Sequence, residues 1–511
     1  MGRNAAPGAR TLPLGPRQDS GTSCAAPGLS LISDTVAMLV FHILLFLVIH
    51  SLSWVAAAHA LLTKHDPRSA LGWTACVMLL PLVGPLLYAL FGISRAQSHA
   101  EKILRREAEH DRALPLPPAS PVAGAQEPLP LKEEALTLAR TGHKLTGTPL
   151  CGGNLVRPLH NGDEAYPAML EAINAAHSHV YLATYIFNAG KAGHSFVEAL
   201  TGAADRGVDV RVLVDGVGAL YSWHKPWKVL ERRGVPTARF LPPSLIPPSL
   251  SVNLRNHRKV LVCDAVGFTG GMNISDGNLI AAGKHSIQDM HFRCEGPVVS
   301  RLRHAFLLHW GFCTGEYKAP PPMPDTEDGK SRCRVIVDGP GNDADVINDL
   351  ICGAINLARR RVRIMTPYFL PSHDLMAALR SAGQRGVDVR VVLPAKNNLP
   401  YMNWATCRLL PGLLAAGVRV WFQPPPFAHT KLLAVDDFYT QVGSANLDAR
   451  SLRLNFELNM EIYDAAFVAG IVDFIDATIE RSRELTLTEL TTQTLAVKLR
   501  NAACWLFSPY L

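Results

Sequence analysis

The chain has 511 residues, a net charge of +7 and a sequence pI of about 8.9. This length exceeds one ordinary hydrophobic core and predicts about two to four structural units. Its ten cysteines are dispersed, without a CxxC pair, which excludes a small disulfide-stapled scaffold. The mild basic excess suits an anionic membrane surface or a nucleic acid and does not choose between them.

Two apolar stretches lie near the N-terminus. Residues 35–63 and 69–94 contain no Asp, Glu, Lys or Arg, and each exceeds the roughly 20 residues that cross a bilayer. The pattern predicts an N-terminal tail over 1–34 and a two-helix transmembrane hairpin over 35–95. Pro81, Gly84 and Pro85 are expected to kink or break its second helix. A cleaved signal peptide or a buried apolar helix is a less favoured alternative, because a long tail precedes the first stretch.

Basic residues on the two flanks predict the orientation of this hairpin. Three precede it and five follow it, namely Arg3, Arg10 and Arg17, then Arg95, Lys102, Arg105, Arg106 and Arg112. Only Lys64 and Arg68 lie between the stretches. The positive-inside rule then places both ends in the cytoplasm. We therefore expect a multi-pass protein of the cytoplasmic (inner) membrane with its body on the cytoplasmic side, joined by a charged and Pro-rich linker over 96–150.

An internal repeat predicts the architecture of the body. The heptapeptide RGVDVRV at 206–212 recurs unchanged at 385–391, and VYLATY at 180–185 aligns with VRIMTP at 362–367. Each copy alternates Val with charged residues, as a strand does, and follows a helix-like segment. The order of helices and strands predicts an α/β fold of two similar repeats, 151–325 and 326–511, each a β-sheet flanked by helices. A Pro-rich stretch at 319–324 marks their boundary.

Each repeat carries one copy of the pattern H-x-K-x4-D followed by a glycine turn and an asparagine. The first copy comprises His257, Lys259, Asp264, Gly270 and Asn273, and the second His429, Lys431, Asp436, Gly443 and Asn446. One such match arises easily by chance in a chain with nineteen histidines. Two complete matches inside a detected repeat do not, so we take them as one functional constellation.

These residue types indicate phosphoryl chemistry. If the motif lies on a strand, the His and the Lys two positions later point to the same face. The ammonium disfavours a metal ion and suits a phosphate anion, so no metal and no cofactor is expected. Asn273, Asn446 and Ser444 could donate hydrogen bonds to the phosphate oxygens. Two histidines facing one phosphorus from opposite sides suit in-line displacement through a covalent phosphohistidine.

A nucleophilic histidine needs an acceptor for its second ring nitrogen. Asp289 follows His257 by 32 residues and Glu457 follows His429 by 28. We expect each carboxylate to orient the histidine of the other repeat. Asp264 and Asp436 are counted among the candidate catalytic residues, although their places at strand ends also suit pairing with a lysine or bracing a turn.

At these motifs the sequence resembles the phospholipase D superfamily and, more narrowly, the bacterial cardiolipin synthases of the phospholipase D type. The narrower resemblance rests on the segments 66–73, 81–88, 268–274 and 506–509. It implies that two phosphatidylglycerol molecules become cardiolipin and glycerol, with His257 as nucleophile and His429 as acid and base. It also implies phospholipids and a membrane as partners and no nucleic acid. Gly271 stands where the second repeat has Ser444, which implies one hydroxyl fewer at the phosphate.

Three alternatives stay open. The protein could be a hydrolase of the same superfamily, in which water replaces the acceptor. It could use another donor, such as phosphatidylethanolamine, or another acceptor alcohol. It could also be a non-catalytic membrane scaffold, which the intact motifs disfavour. The apolar stretches, and the lack of interleaved aromatic and basic residues, disfavour a nuclease.

Overall fold

The computed structural model describes residues 27–64, 66–93, 102–106, 109, 132–243, 254–317, 329–340 and 345–508. The chain divides into two compact units, Met1–Ser94 and Arg95–Leu511. Most of the predicted tail, much of the predicted linker and the predicted boundary at 319–324 lie outside the described residues. The proposed repeat limits therefore stay predictions.

The first unit begins with one long helix, α1 (Pro27–Thr63). Its part Thr35–Thr63 is apolar and, by length and composition, could cross a membrane. That part extends for about 43 Å at the usual helical rise. Phe41, Phe46 and Trp54 are among its exposed apolar side chains.

The second apolar stretch is not a single helix. It comprises α2 (Pro67–Leu79), a turn at residues 80–82, α3 (Val83–Leu87) and a π-helical turn over Tyr88–Gly92. At its 13 residues, α2 extends for only about 20 Å, less than the roughly 30 Å of a hydrocarbon core. Pro81 lies in the turn, as the expected helix break requires.

The segment after this turn runs back along both earlier helices. Gly84 lies against α2, where a Cβ would approach the Cys76 carbonyl oxygen to 2.5 Å. Three polar contacts to α1 and the residue that follows it advance in the same direction along both segments: Ser53 with Pro81, His59 with Tyr88, and Lys64 with Gly92. The stretch is therefore a re-entrant helix–turn–helix that returns to the Lys64 end of α1. This differs from the predicted pair of spanning helices, because the turn at Pro81 reverses the chain.

The second unit is built on one continuous mixed sheet. The strands of its first half are β1 (Cys151–His160), β2 (His179–Thr184), β3 (Asp209–Asp215), β4 (Thr237–Phe240), β5 (Arg255–Asn256), β6 (Val260–Cys263), β7 (Val266–Gly270), β8 (Ile287–Gln288) and β9 (Met290–Glu295). Those of the unit's second half are β10 (Ser331–Asp338), β11 (Arg361–Met365), β12 (Phe369–Leu370), β13 (Asp388–Pro394), β14 (Arg419–Gln423), β15 (Phe427–Ala428), β16 (Leu432–Val435), β17 (Tyr439–Gly443), β18 (Leu447–Asp448), β19 (Asn455–Tyr463) and β20 (Arg483–Leu485). Two pairs of these strands, β12 with β18 and β8 with β15, form separate two-stranded sheets.

Helices cover this sheet. They are α4 (Glu133–Thr146), α5 (Asn161–Ala175), α6 (Lys191–Asp205), α7 (Pro226–Arg232), α8 (Val298–Thr314), α9 (Val346–Leu357), α10 (His373–Gln384), α11 (Pro400–Leu414), α12 (Ala449–Arg453), α13 (Ala465–Glu480), α14 (Leu487–Thr491) and α15 (Leu495–Leu506). Short 3₁₀ turns occupy Gly218–Leu220, Asp276–Asn278 and Ile280–His285, and residues 102–106 are also helical.

Strand order shows the duplication. Outward from the antiparallel junction of β1 and β10, the first half reads β1-β9-β7-β6-β2-β3-β4 and the second β10-β19-β17-β16-β11-β13-β14. The α/β fold with two repeats is therefore confirmed. In each heptapeptide copy the strand begins at the Asp, and the preceding glycine has a positive φ of 86° (Gly207) or 83° (Gly386). That turn explains why both copies keep glycine.

The two halves share one central hydrophobic core. Phe292 and Trp310 of the first half pack in the same cluster as Phe456 and Met460 of the second. Each half also has an outer cluster of its own, between the sheet and its helices. The shared core holds the two motif-bearing halves in one compact unit.

Part of the predicted linker belongs to this unit. Helix α4 lies within 96–150, and its Ala135, Leu138 and Ala139 are buried in the outer core of the second half. Gly142 lies so close to the Arg334 guanidinium that a Cβ would approach it to 2.7 Å. The linker is thus shorter than predicted. These four small or apolar residues have the spacing of an amphipathic helix. That spacing is the sequence feature that could have predicted α4.

Candidate active site

The two H-x-K segments lie between strands, not within one. Residues 257–259 connect β5 to β6, and residues 429–431 connect β15 to β16. The expectation that each motif lies on a strand is therefore wrong. The physical reason is that the backbone of each motif histidine bonds to the opposite half of the unit. His257 N–H donates to Phe456 O at 2.9 Å, and His429 N–H donates to Gln288 O at 2.7 Å.

Two short ladders between the halves set this geometry. β5 pairs in parallel with β19, and β15 pairs in parallel with β8. Phe456 and Gln288, which accept the histidine amides, directly precede Glu457 and Asp289 in the sequence. The same register therefore presents each histidine to a carboxylate of the opposite half.

His257 meets two acceptors at one ring nitrogen. Its Nδ1 lies 3.0 Å from Glu457 Oε2 and 3.2 Å from the Ser444 carbonyl oxygen. Nδ1 therefore carries the hydrogen, and Nε2 keeps its lone pair. Burial lowers the pKa of His257, with Glu457 opposing that shift. The ring is held neutral, as a nucleophile requires.

Glu457 is itself fixed by hydrogen bonds. Ser444 Oγ donates to its Oε2 at 2.5 Å, and Asn455 Nδ2 donates to its Oε1 at 3.1 Å. Burial alone would raise the pKa of Glu457, but His257 and the Ser444 hydrogen bond help to bring it below the ordinary value. The Ser444 hydroxyl, which also accepts from Leu458 N–H at 2.9 Å, is thus committed to the carboxylate. This corrects the expectation that it binds phosphate.

His429 repeats the arrangement with a shorter acid. Its Nδ1 lies 2.8 Å from Asp289 Oδ2, and Lys431 Nζ lies 3.0 and 3.2 Å from its two ring nitrogens. Burial and the Lys431 charge lower the pKa of His429 to about 4, although Asp289 opposes them. Burial opposes the ionised form of Asp289, but Lys431 and His429 bring its pKa below the ordinary value. The contacts expected between each histidine and the carboxylate of the other repeat are present.

Gly271 explains why the first half lacks the serine. A Cβ at this position would lie 2.5 Å from Asp289 Oδ1 and 2.8 Å from its Oδ2. The Asp289 carboxylate therefore leaves room only for a glycine at position 271. The equivalent residue in the second half is Ser444. The two halves therefore hold their carboxylates differently: Ser444 donates a hydrogen bond to Glu457, whereas Gly271 makes room for Asp289. The glycine does not mean that the first half lacks a phosphate-binding hydroxyl.

Both lysines are buried beside their histidines. Lys259 is 2% and Lys431 6% exposed. Burial lowers the pKa of Lys259 to about 7 and that of Lys431 to about 8, with the site carboxylates opposing it. An entering anion would raise both values. Two buried lysines beside the histidines are suited to a phosphate anion.

Asp264 and Asp436 lie at the other end of the motif strands. Asp264 accepts three backbone hydrogen bonds, from His177, Ser178 and His179, and Asp436 accepts three from Arg359, Arg360 and Arg361. Both have a positive φ, 50° and 51°. Their carboxylates brace the turns after β6 and β16. This corrects their inclusion among the catalytic residues.

The two asparagines differ in orientation. Asn273 Oδ1 accepts from Ile186 N–H at 3.1 Å, which leaves its amide N–H₂ group to donate in the cleft. Asn446 Nδ2 donates instead to Ser451 Oγ at 3.0 Å. Its Oδ1 is buried and has no hydrogen-bond partner among the described residues. Only Asn273 is thus arranged as a phosphate donor.

Both histidines open into one cleft of about 620 Å³ built from the two halves. Its wall includes four tyrosines, Tyr185, Tyr221, Tyr368 and Tyr401. The Tyr185 ring lies 5.1 Å from that of His257. Sequence reasoning missed these residues and the cleft residue Arg255. The available signal for Arg255 was its position two residues before His257. Within the described part of the chain, no group of three or more His, Cys, Asp or Glu could hold a metal ion.

Comparison with known proteins identifies the family of the chain. Residues 169–310 and 351–478 match the family described as "Cardiolipin synthase, PLD-like domain", and residues 51–92 match "Phospholipase_D-nuclease N-terminal". The chain is 32% identical over 445 residues to a cardiolipin synthase of Geobacillus kaustophilus, covering 84% of this chain and 87% of that protein. It is 33% identical over 447 residues to cardiolipin synthase A of Pseudomonas putida, covering 86% and 92%.

A solved structure shares the fold. It is the phosphatidylserine synthase of Haemophilus influenzae, with a TM-score of 0.58 and 17% identity. The match covers 73% of this chain and all of that one.

Proposed function

Since the chain belongs to the cardiolipin synthase family, whose phospholipase D-like domain it carries in two copies, we propose that it joins two phosphatidylglycerol molecules into cardiolipin and releases glycerol. One observation carries the proposal. Two histidines, one from each half, face one cleft with a lysine beside each, and each histidine is held by a carboxylate of the opposite half.

In the first step, His257 Nε2 attacks the phosphorus of the donor lipid. A P–N bond forms, the P–O bond to the glycerol headgroup breaks, and His429 gives its proton to the departing oxygen. The phosphate anion raises the pKa of His429 and of both lysines, because it is an opposite charge in a buried site. This shift protonates His429 when the substrate is present. Assigning the nucleophile to His257 rests on the resemblance to the superfamily.

In the second step, His429 takes the proton of the primary hydroxyl of the acceptor lipid. That oxygen bonds to phosphorus, and the bond to His257 Nε2 breaks. Lys259, Lys431 and Asn273 bind the non-bridging oxygens throughout. Glu457 and Asp289 are positioning residues, since they hold the tautomers of the two rings.

Product analysis tests this function. The full chain, purified in detergent, is given phosphatidylglycerol in excess EDTA, and the lipids and glycerol are measured. Cardiolipin with an equal amount of glycerol is the expected result. Phosphatidic acid with glycerol would identify a hydrolase instead. Absence of product, followed by turnover once phosphatidylethanolamine is added, would identify a different donor.

The arrangement in the membrane is a second part of the proposal. Helix α1 crosses once, and the re-entrant segment returns the chain to the Lys64 end. Seven basic residues flank that end, namely Lys64, Arg68, Arg95, Lys102, Arg105, Arg106 and Arg112, against three before α1. The positive-inside rule places that end, and the body that follows, in the cytoplasm. The N-terminus then lies on the opposite face, unlike the two-crossing prediction.

Epitope tags at the two termini test this topology. In intact spheroplasts, added protease should remove the N-terminal tag and leave the C-terminal tag. Protection of both tags would instead support two crossings.

A further inference from the structure

Arg255 is a buried cation that the two chemical steps above do not use. It begins β5, two residues before His257, and is 7% exposed. Its side chain lines the cleft. Because alternate residues of an extended chain share a face, about 7 Å apart, the guanidinium extends into the cleft beside His257.

No strong partner within the described residues neutralises this charge. Its one hydrogen bond there is long, from Nη1 to the Leu254 carbonyl oxygen at 3.4 Å. Asp215 interacts with it electrostatically. That carboxylate is, however, engaged by three backbone amides, those of Val217, Gly218 and Asn256.

An arginine removed from water without a bound anion is costly. A guanidinium presents two parallel N–H groups that match phosphate oxygens, so such an arginine on the wall of a cleft is typical of a phosphate site. The reacting phosphate already has two lysines. A second anion is the better match for Arg255.

The surroundings of the two histidines differ at this position. Phe427 stands two residues before His429, where the first half has Arg255, and its ring lies 6.0 Å from that of His429. The reacting centre is thus nearly symmetric, but the position two residues before each histidine is cationic in the first half and aromatic in the second. Two identical lipids would bind there in different roles.

The reaction supplies a second phosphate at the right distance. In cardiolipin the two phosphorus atoms are joined by six bonds, P–O–C–C–C–O–P. Two peptide residues also contain six backbone bonds and span about 7 Å when extended. That span equals the Cα separation of two residues, such as Arg255 and His257, two positions apart in an extended chain.

We propose that Arg255 binds the phosphate of the acceptor phosphatidylglycerol and thereby selects an anionic acceptor. This rests on the proposed function and adds a second phosphate site to it. The acceptor hydroxyl still gives its proton to His429, its oxygen bonds to phosphorus, and the bond to His257 breaks. A free glycerol molecule attacks through the same bonds but has no phosphate for Arg255.

The test compares two acceptors on one enzyme. Full-length Arg255→Gln is assayed for cardiolipin formation and for exchange of labelled glycerol into phosphatidylglycerol, which requires only the first step and its reverse. We expect cardiolipin formation to fall at least about tenfold, because a charge-assisted contact is lost, with exchange within about twofold of the parent. Arg255→Lys should recover part of the cardiolipin-to-exchange ratio. The control is Arg239→Gln, whose arginine covers the Trp227 ring and should leave both rates unchanged.

Two outcomes would overturn the proposal. An equal fall in both rates would place Arg255 at the reacting phosphate, and no fall in either would remove it from binding. If Arg255→Gln does not fold, the ratio measured for Arg255→Lys decides between the same outcomes. Absence of both reactions in the parent would instead refute the proposed function.

Discussion

His257 and Glu457 are separated by 200 positions in the chain, yet His257 Nδ1 lies 3.0 Å from Glu457 Oε2. The contact depends on a parallel ladder of two residue pairs between β5 and β19. Asp289 and His429 form the matching contact through β15 and β8. The proposed active site therefore takes residues from both repeats.

Glu457→Gln should lower kcat without a matching change in KM for phosphatidylglycerol. The variant keeps the shape of the side chain but presents an amide that can stabilise the wrong His257 tautomer. We expect kcat to fall about 10²–10⁴-fold, as when a histidine loses its orienting acid. Steady-state kinetics of cardiolipin formation measures this. An unchanged kcat would mean that Glu457 does not position His257.

Gly271→Ser should disable His429 of the second half by displacing Asp289. The added Cβ would lie 2.5 Å from Asp289 Oδ1, so the carboxylate must leave His429. We expect at least about a tenfold loss of kcat, since His429 loses its acceptor. Gly412→Ser is the matched control, because a Cβ at this exposed helical position meets no atom within 4 Å. Equal activity of the two variants would refute the proposal that Asp289 must hold His429 for catalysis.

The pH dependence of kcat/KM should be set by the site lysines and His257. Burial lowers the pKa of Lys259 to about 7 and that of Lys431 to about 8. Above these values the lysines lose the charge that binds phosphate, so kcat/KM should fall as pH rises above about 7. On the acid side, burial lowers the pKa of His257 below the ordinary histidine value, with Glu457 opposing that shift. The nucleophile therefore stays neutral to a lower pH, and kcat/KM should decline only below the ordinary histidine range. A profile that stays flat from pH 7 to 10 would contradict the assigned role of the lysines.

Asp264→Asn should affect stability and not chemistry. The carboxylate accepts hydrogen bonds from three backbone N–H groups. Burial alone would raise the pKa of Asp264, but these hydrogen bonds bring it below the ordinary value. An amide cannot accept all three, so the free energy of unfolding should fall by about 1–3 kcal/mol. Thermal unfolding in detergent measures this fall, and kcat of the folded variant should stay within about twofold of the parent. A large loss of kcat with unchanged stability would return Asp264 to the catalytic residues.

The repeat could be predicted from the sequence because both copies keep the same core-packing and motif residues. The heptapeptide copies located equivalent strands, and the two H-x-K motifs located the histidines. The pairing of each histidine with the other half's acid followed from the need for an acceptor. The carboxylates were then the acids at matching distances downstream.

Other features depend on geometry that spacing does not specify. The Ser444 hydroxyl faces Glu457 because β17 and β19 pair there, which no motif encodes. The second apolar stretch has the composition of a spanning helix, yet a turn at Pro81 reverses it. Arg255 became visible as a site residue only through its burial on the cleft wall.

The covalent intermediate is the most direct test of the mechanism. The full chain is mixed with a short-chain phosphatidylglycerol and denatured within the first turnover at alkaline pH, where P–N bonds persist, and its peptides are analysed by mass spectrometry. We predict a phosphatidyl adduct on His257 in the parent and none in His257→Ala, which should form no cardiolipin. Cardiolipin formation by His257→Ala, or an adduct on His429 alone, would contradict the account.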